Sequence, residues 1–270
     1  MSAGLPEIPS LLAAGGDAKA CCAELYASEA ARWLLGDDLH PGGERATSRL
    51  AELAGLQAGE RVVDVAAGPG TTARLLARRY GADVTGVELG AATVERARAL
   101  TREDGVRFVC GDAEALPLAD GDFDVALSEC SLCTFPDQPR AVAEMTRVVR
   151  PGGRIAIADV TADTDALPPA LRTAAARVAC VAEARTAAGY AELLAAVGCE
   201  VVASERRDAD LLGMVDRVEA RLRVARMLVA AGEQRDRVRE ALALVRLARR
   251  EAERGTLGYV LLVARRSASA

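Results

Sequence analysis

Through the middle of the chain, short apolar runs take turns with segments whose apolar residues recur at helical spacing. "RVVDVAA" (61–67), "DVTGVEL" (83–89), "VRFVCGD" (106–112), "FDVALSE" (123–129) and "RIAIADV" (154–160) read as strands, because short apolar stretches bounded by Gly, Pro and Asp fit buried strands. Between them, "GPGTTARLLARRYG", "AATVERARALTRED" and "QPRAVAEMTRVVRPGG" read as helices closed by glycine or charged turns. Strands alternating with helices of roughly 10–15 residues predict a parallel, doubly wound sheet.

The flanks are more helical. Residues 1–18 read as a loose arm, Lys19 to Leu35 as a helix, and Glu44 to Leu56 as a second helix after the turn "GDDLHPGG". Residues 1–56 are therefore expected to form an N-terminal arm and helical cover, with the main domain over 57–270. Beyond strand 5, Leu167 to Ala184 and Thr186 to Gly198 are predicted helical and "CEVVASER" is predicted to be strand 6. Two amphipathic helices, broken near Gly232, form an insertion at about 209–254, and "TLGYVLLVARR" closes the chain as a last strand. The expected fold is α/β, a doubly wound, mostly parallel seven-stranded sheet.

Of 270 residues, 51% are hydrophobic but only 3% aromatic, so the core must be built of Ala, Leu and Val. A net charge of −5 with no basic block argues against a nucleic-acid surface. No apolar run approaches the ~18 residues that a membrane span needs, and the first residues lack the basic start of a signal peptide. Seven cysteines, with Cys21 next to Cys22, do not suit a secreted disulfide framework, so reduced thiols and a cytoplasmic location are expected. Cys110 and Cys199 sit beside apolar strand patterns and are expected in the core.

Candidate chemistry gathers where strands end, which in an open α/β sheet is the ligand-binding edge. Strand 1 runs into "DVAAGPGTT" (64–72), whose glycines let a ligand approach the backbone and whose helix offers free N–H groups. Glu88 ends strand 2, where an acid can accept both hydroxyls of a ribose. Asp112 ends strand 3, where it can take the amino group of an adenine. A dinucleotide site is the competing reading, but G-x-G-x-x-G is absent: the loop reads "GPGTTA", with Ala73 in the final position.

This pattern resembles the class I S-adenosylmethionine-dependent methyltransferases over about Arg61 to Val160, in the loop, Glu88, Asp112 with Ala113, and "RPGGRIAIADV". The resemblance implies S-adenosylmethionine as cofactor. Gly68 and Gly70 would pack against its amino-acid part, with Asp64, Ala66 and Leu89 also in its wall. Glu88 would hold the ribose, Asp112 and Ala113 the adenine, and Ser128 would lie near the sulfonium. Ala66 stands where many members carry glycine, a small change if its φ is negative.

"KACCAELY", "SECSLCTFPDQP" and "ACVAEARTAAGY" further resemble three cysteine segments of the arsenite methyltransferases. That likeness implies that Cys130 and Cys180 hold trivalent arsenic, with Cys21 or Cys22 as a third thiol and small thiols as possible partners. Soft thiolates do select thiophilic centres. Glu129 replaces the family's Asn, and Cys133 is an additional thiol. The alternative acceptor is a small organic molecule methylated on carbon or oxygen, as in the ubiquinone/menaquinone type. A hydroxyl nucleophile would need a base, for which the single histidine, His40, and Glu129 are available. A third reading is a non-enzymatic protein holding zinc through Cys130, Cys133, Cys180 and Cys21. No second C-x₂-C or H-x₃-H accompanies the C-x₂-C pair.

Overall fold

The computed structural model describes residues 18–173 and 181–268. Three helices lead in: α1 (Ala18–Ala27), α2 (Glu29–Leu35) and α3 (Glu44–Leu53). The segment expected as one helix from Lys19 to Leu35 is two. Ser28 adopts extended dihedrals and its side chain accepts the Ala31 N–H at 3.1 Å, capping α2.

The alternation that follows is β1 (Arg61–Val65), α4 (Thr71–Tyr80), β2 (Asp83–Glu88), α5 (Ala91–Leu100), β3 (Val106–Cys110), β4 (Phe123–Glu129), α6 (Gln138–Val148) and β5 (Val149–Ala162). The chain continues through α7 (Ala187–Ala196), β6 (Cys199–Arg206), α8 (Asp208–Leu228), α9 (Glu233–Arg254) and β7 (Leu257–Arg266). The seven strands stand in the order β3-β2-β1-β4-β5-β7-β6. The first five pair in parallel, while β7 lies antiparallel between β5 and β6. Insertion of β7 explains why two long helices can return the chain to the sheet without a further parallel crossover.

In the connection after β5 one expectation fails over the described residues. Leu167 to Ala184, predicted helical, holds a 3-10 turn at Pro169–Arg172 and an irregular stretch from Val181 to Thr186. The intervening residues 174–180 lie outside the described ones. The Pro168-Pro169 pair removes two backbone donors at the start of that segment, which works against a regular helix.

Strand parity assigns each side chain to a layer. Val62, Val125, Leu127, Ala156, Ala158, Leu261 and Val263 pack on one face with α3 and α4. Val63, Val65, Ala126, Ile155, Ile157, Val260 and Leu262 pack on the other with α6 and α7. Both faces are covered, as a parallel sheet requires. The core is aliphatic, with Tyr190, Tyr259 and Phe123 its largest fully buried members. Cys199 is buried as expected, but Cys110 is exposed. It is the last residue of the edge strand β3, beyond the buried Phe108 on the same face, and its thiol donates to Leu89 O at 3.3 Å. No helix among the described residues is long and apolar enough to cross a membrane.

Candidate active site

At the carboxyl ends of β1, β2 and β4 lies a cavity of about 330 Å³, walled by the loop after β1, the turn after β4 and the N-terminal helices. That volume is in the range of small-molecule pockets.

The loop after β1 is drawn tight. Ala67 N–H donates to Val87 O at 3.0 Å, and Gly70 N–H to Ala67 O at 2.9 Å. Gly70 enters α4 at φ +79°, and the Phe108 ring fills the space a Cβ would need. Only glycine satisfies both demands. Ala66 also has a positive φ, +60°. The substitution of Ala for glycine is therefore not the inexpensive one that a negative φ would have allowed.

Glu88, buried at the end of β2, braces this loop. Its Oε2 accepts Gly68 N–H and its Oε1 accepts Gly90 N–H, each at 3.0 Å. Each carboxylate oxygen keeps a lone pair for a ligand. Asp64 is buried, accepts the backbone N–H of Ala73, and leaves Oδ2 without a partner. Burial first, then the nearby charges of Glu129 and Glu88, pushes its carboxyl well above the usual carboxylate range. Asp112 opens the turn after β3, where Lys19 of α1 reaches it at 2.8 Å and Glu114 at 2.5 Å. Burial opposes ionisation of Asp112, but the Lys19 ammonium and the Glu114 N–H outweigh it and hold the carboxyl below its ordinary range.

Beyond β4 the wall is made by Glu129, Cys130 and Ser131. Ser128 does not reach it. By parity Ser128 faces the other layer, fully buried, and its hydroxyl lies 2.6 Å from that of Ser131. Glu129 points the opposite way, where its carboxylate accepts Thr72 Oγ1 at 2.6 Å and Thr47 Oγ1 at 2.9 Å. His40 completes this group, with Nε2 3.4 Å from Thr47 Oγ1 and 3.6 Å from Glu129 Oε2, and Nδ1 3.2 Å from Pro41 O.

Of the predicted cofactor residues, Asp64, Ala66, Gly68, Glu88, Leu89, Asp112 and Ala113 line one cavity; Gly70 shapes the loop from behind. Of the predicted thiols, Cys130 alone is placed in that wall. Cys180 lies outside the described residues, and so do the side chains of Cys21 and Cys22, whose backbone is in α1. Cys133 is fully buried, its N–H bound to Asp159 Oδ2 at 3.2 Å, so it packs the turn after β4. Among the described residues no group of three or more His, Cys, Asp or Glu is arranged to hold a metal. Lys19, Thr47 and Thr72 were missed from the sequence. Lys19, as the single lysine, was the one with a visible signal.

Residues 63–157 match a family described as "Methyltransferase domain". Over those residues the chain resembles a methyltransferase domain. "Methyltransferase GfsG" of Streptomyces halstedii is 43% identical over 128 residues, covering 46% of each chain. "27-O-demethylrifamycin SV methyltransferase" of Amycolatopsis mediterranei is 37% identical over 142 residues, covering 47% of this chain and 52% of that one. The chain thus spans about half the length of these curated relatives. Among solved structures, "the [4+2]-Cyclase SpnF" superposes with a TM-score of 0.74 at 24% identity, covering 94% of this chain and 98% of that one. That neighbour is titled a cyclase, so the likeness supports the fold and leaves the reaction to be argued from the site.

The cofactor of the domain class that residues 63–157 resemble is S-adenosylmethionine, and the residues of the cavity fit it. The orphaned Asp64 Oδ2 suits the ammonium of the amino-acid part, the Gly68 backbone is open to close approach, and Glu88 and Asp112 offer the acceptors a ribose and an adenine need.

Proposed function

We propose that this protein transfers a methyl group from S-adenosylmethionine to a hydroxyl of a small organic acceptor, with His40 and Glu129 receiving the acceptor's proton. The observation that carries the reading is the buried His40–Glu129 pair in the cavity wall, Nε2 to Oε2 3.6 Å.

Bound in the cavity, the cofactor supplies an electrophilic methyl on a sulfonium. The chain's work is to position the acceptor, exclude water and take one proton. Pro41 O can only accept, so the contact with His40 Nδ1 favours the tautomer that carries its proton there and turns Nε2 to the acceptor's proton. Thr47 gives its hydroxyl proton to Glu129, so its oxygen turns a lone pair toward Nε2. An imidazolium formed by proton uptake would meet acceptors at both nitrogens and the Glu129 carboxylate beside it. Thr47 and Thr72 fix that carboxylate in place.

The relative named for an O-demethylated rifamycin supports an oxygen acceptor. The arsenical reading has one described residue in its favour, Cys130 in the cavity wall. The test is release of S-adenosylhomocysteine over a panel of hydroxylated acceptors, with arsenite plus thiol as a separate arm. Transfer to a hydroxyl that is lost in His40→Ala supports the proposal, and transfer to arsenite alone replaces it.

A further inference from the structure

A second cavity, of about 410 Å³, lies on the far side of His40, between the loop preceding α3 and the first half of α8. Its charged lining is Asp38, Arg45, Asp210, Arg217 and Arg221, and His40 and Asp38 belong to both cavities. The two spaces therefore adjoin at His40 and Asp38.

The lining carries three arginines against two aspartates, Asp38 and Asp210, a surplus of one positive charge. Asp210 is buried and already committed, Oδ1 to Arg45 Nη2 at 2.9 Å and Oδ2 to Arg207 Nε at 2.7 Å. Arg221 gives one N–H to Leu34 O at 2.9 Å and keeps the rest of its fork. Arg217, exposed, makes no ion pair among the described residues. Arg217 and Arg221 are four apart on one helix and so share a face. The chain as a whole is negative, at −5, so this patch runs against the overall charge.

We propose that the second cavity binds an oxyanion, carboxylate or phosphate, carried by a methyl acceptor that passes from one space into the other at His40 and Asp38. The guanidinium fork matches both groups. The assignment rests on the methyl-transfer reading of the adjoining cavity. It narrows the acceptor to a hydroxylated acid or a phosphorylated hydroxy compound.

Because His40 is the single histidine, its imidazole proton resonance reports on both cavities. The protein is saturated with S-adenosylhomocysteine and then titrated with inorganic phosphate or with succinate. The expected result is a saturable shift of the His40 signal by at least one of the two anions. Its midpoint should weaken roughly tenfold in Arg217→Ala, as for one charge-assisted contact, and stay unchanged in the exposed α9 control Arg239→Ala. Phosphate alone assigns a phosphorylated acceptor, and succinate alone a carboxylated one. No saturable shift with either anion, or an equal midpoint in Arg217→Ala, overturns the proposal. Failure of S-adenosylhomocysteine itself to bind overturns the methyl-transfer reading instead, so the two are told apart.

Discussion

His40 Nε2 and Glu129 Oε2 lie 3.6 Å apart with both side chains more than nine-tenths buried. They come from elements 89 residues apart in sequence, the loop before α3 and the end of β4. In an enzyme that methylates a hydroxyl, loss of such a base costs ~10²–10⁴ in rate. His40→Ala should lower turnover by that order while leaving the affinity for S-adenosylhomocysteine unchanged. Glu129→Gln should lower turnover less, since it keeps the shape and the two threonine contacts. Calorimetry paired with steady-state kinetics checks both. A His40→Ala enzyme at full speed would falsify the base assignment.

Asp64 gives a pH prediction. Its folded-state pKa is raised, by burial first and then by Glu129 and Glu88. A raised value means that the stability contributed is full below the ordinary carboxylate pKa of about 3.9 and is lost as pH rises through the folded-state value. The cofactor-free protein should therefore lose stability over that rise. Asp64→Asn should flatten the dependence and be more stable at neutral pH by about 1–3 kcal/mol, the cost of a buried unsatisfied group. The same change should weaken S-adenosylhomocysteine binding, because the ammonium loses its counter-charge. Urea titrations across pH, with and without ligand, separate the two effects.

Ala66 is held at φ +60°. A left-handed conformation costs a non-glycine residue roughly 1–2 kcal/mol, while adding a glycine costs roughly 0.4–1 kcal/mol through the unfolded chain. Ala66→Gly should therefore stabilise the protein by up to about 1 kcal/mol. Denaturant midpoints in the absence of ligand decide it, and a destabilised variant would show that the loop gains something from the methyl group.

The sequence made the sheet legible because both of its signals are local. "FDVALSE" is apolar where parity buries it, and it forms β4 over Phe123–Glu129 as read. The same parity, carried two residues further, would have turned Ser128 away from the cavity and Glu129 toward it. Ser28 before Glu29 was a cap signal inside the segment read as one helix. By contrast, nothing local brings His40 to Glu129, or Lys19 to Asp112. Those contacts arise only when the N-terminal helices fold over the strand ends. The exposure of Cys110 likewise depends on its place at the last position of the edge strand β3, which strand order and strand length fix and periodicity does not.

Glu88 braces the loop and in the proposed function also accepts the ribose, while Asp112 has its ion pair with Lys19 to give up or share. Glu88→Ala removes the anchor of Gly68 and Gly90 as well as the ribose acceptor. It should weaken S-adenosylhomocysteine by more than the roughly 10- to 150-fold expected for one charge-assisted hydrogen bond. Asp112→Asn should weaken it less and should also release Lys19 from one partner, leaving Glu114. Equal affinities in both variants and the wild type would remove these residues from the cofactor site.

Cys130 separates the two acceptor readings. It occupies φ +51°, held there by its N–H to Ala158 O at 2.7 Å and by the following turn, which Asp159 pins through Cys133. The backbone thus sets the wall of the cavity whatever the side chain is. If the acceptor is a hydroxyl, the thiol is only a lining group, and Cys130→Ser should keep most of its activity, serine being nearly the same size. If the acceptor were a thiol-bound arsenical, removing one thiolate would misplace the nucleophile, and a misplacement near 1 Å can cost ~10² in rate. Cys133→Ala acts as the stability control, since it deletes a fully buried side chain and should cost on the order of 1 kcal/mol without altering turnover. The measurement is methyl transfer by wild type, Cys130→Ser, Cys180→Ser and Cys133→Ala, each with a hydroxylated acceptor and with arsenite at saturating cofactor. Retained hydroxyl transfer in Cys130→Ser and Cys180→Ser, with no methylated arsenic from any of the four, is the expected outcome. Arsenite methylation by wild type that disappears in both serine variants would hand the site to the thiols, and it would leave the cofactor half of the cavity as described.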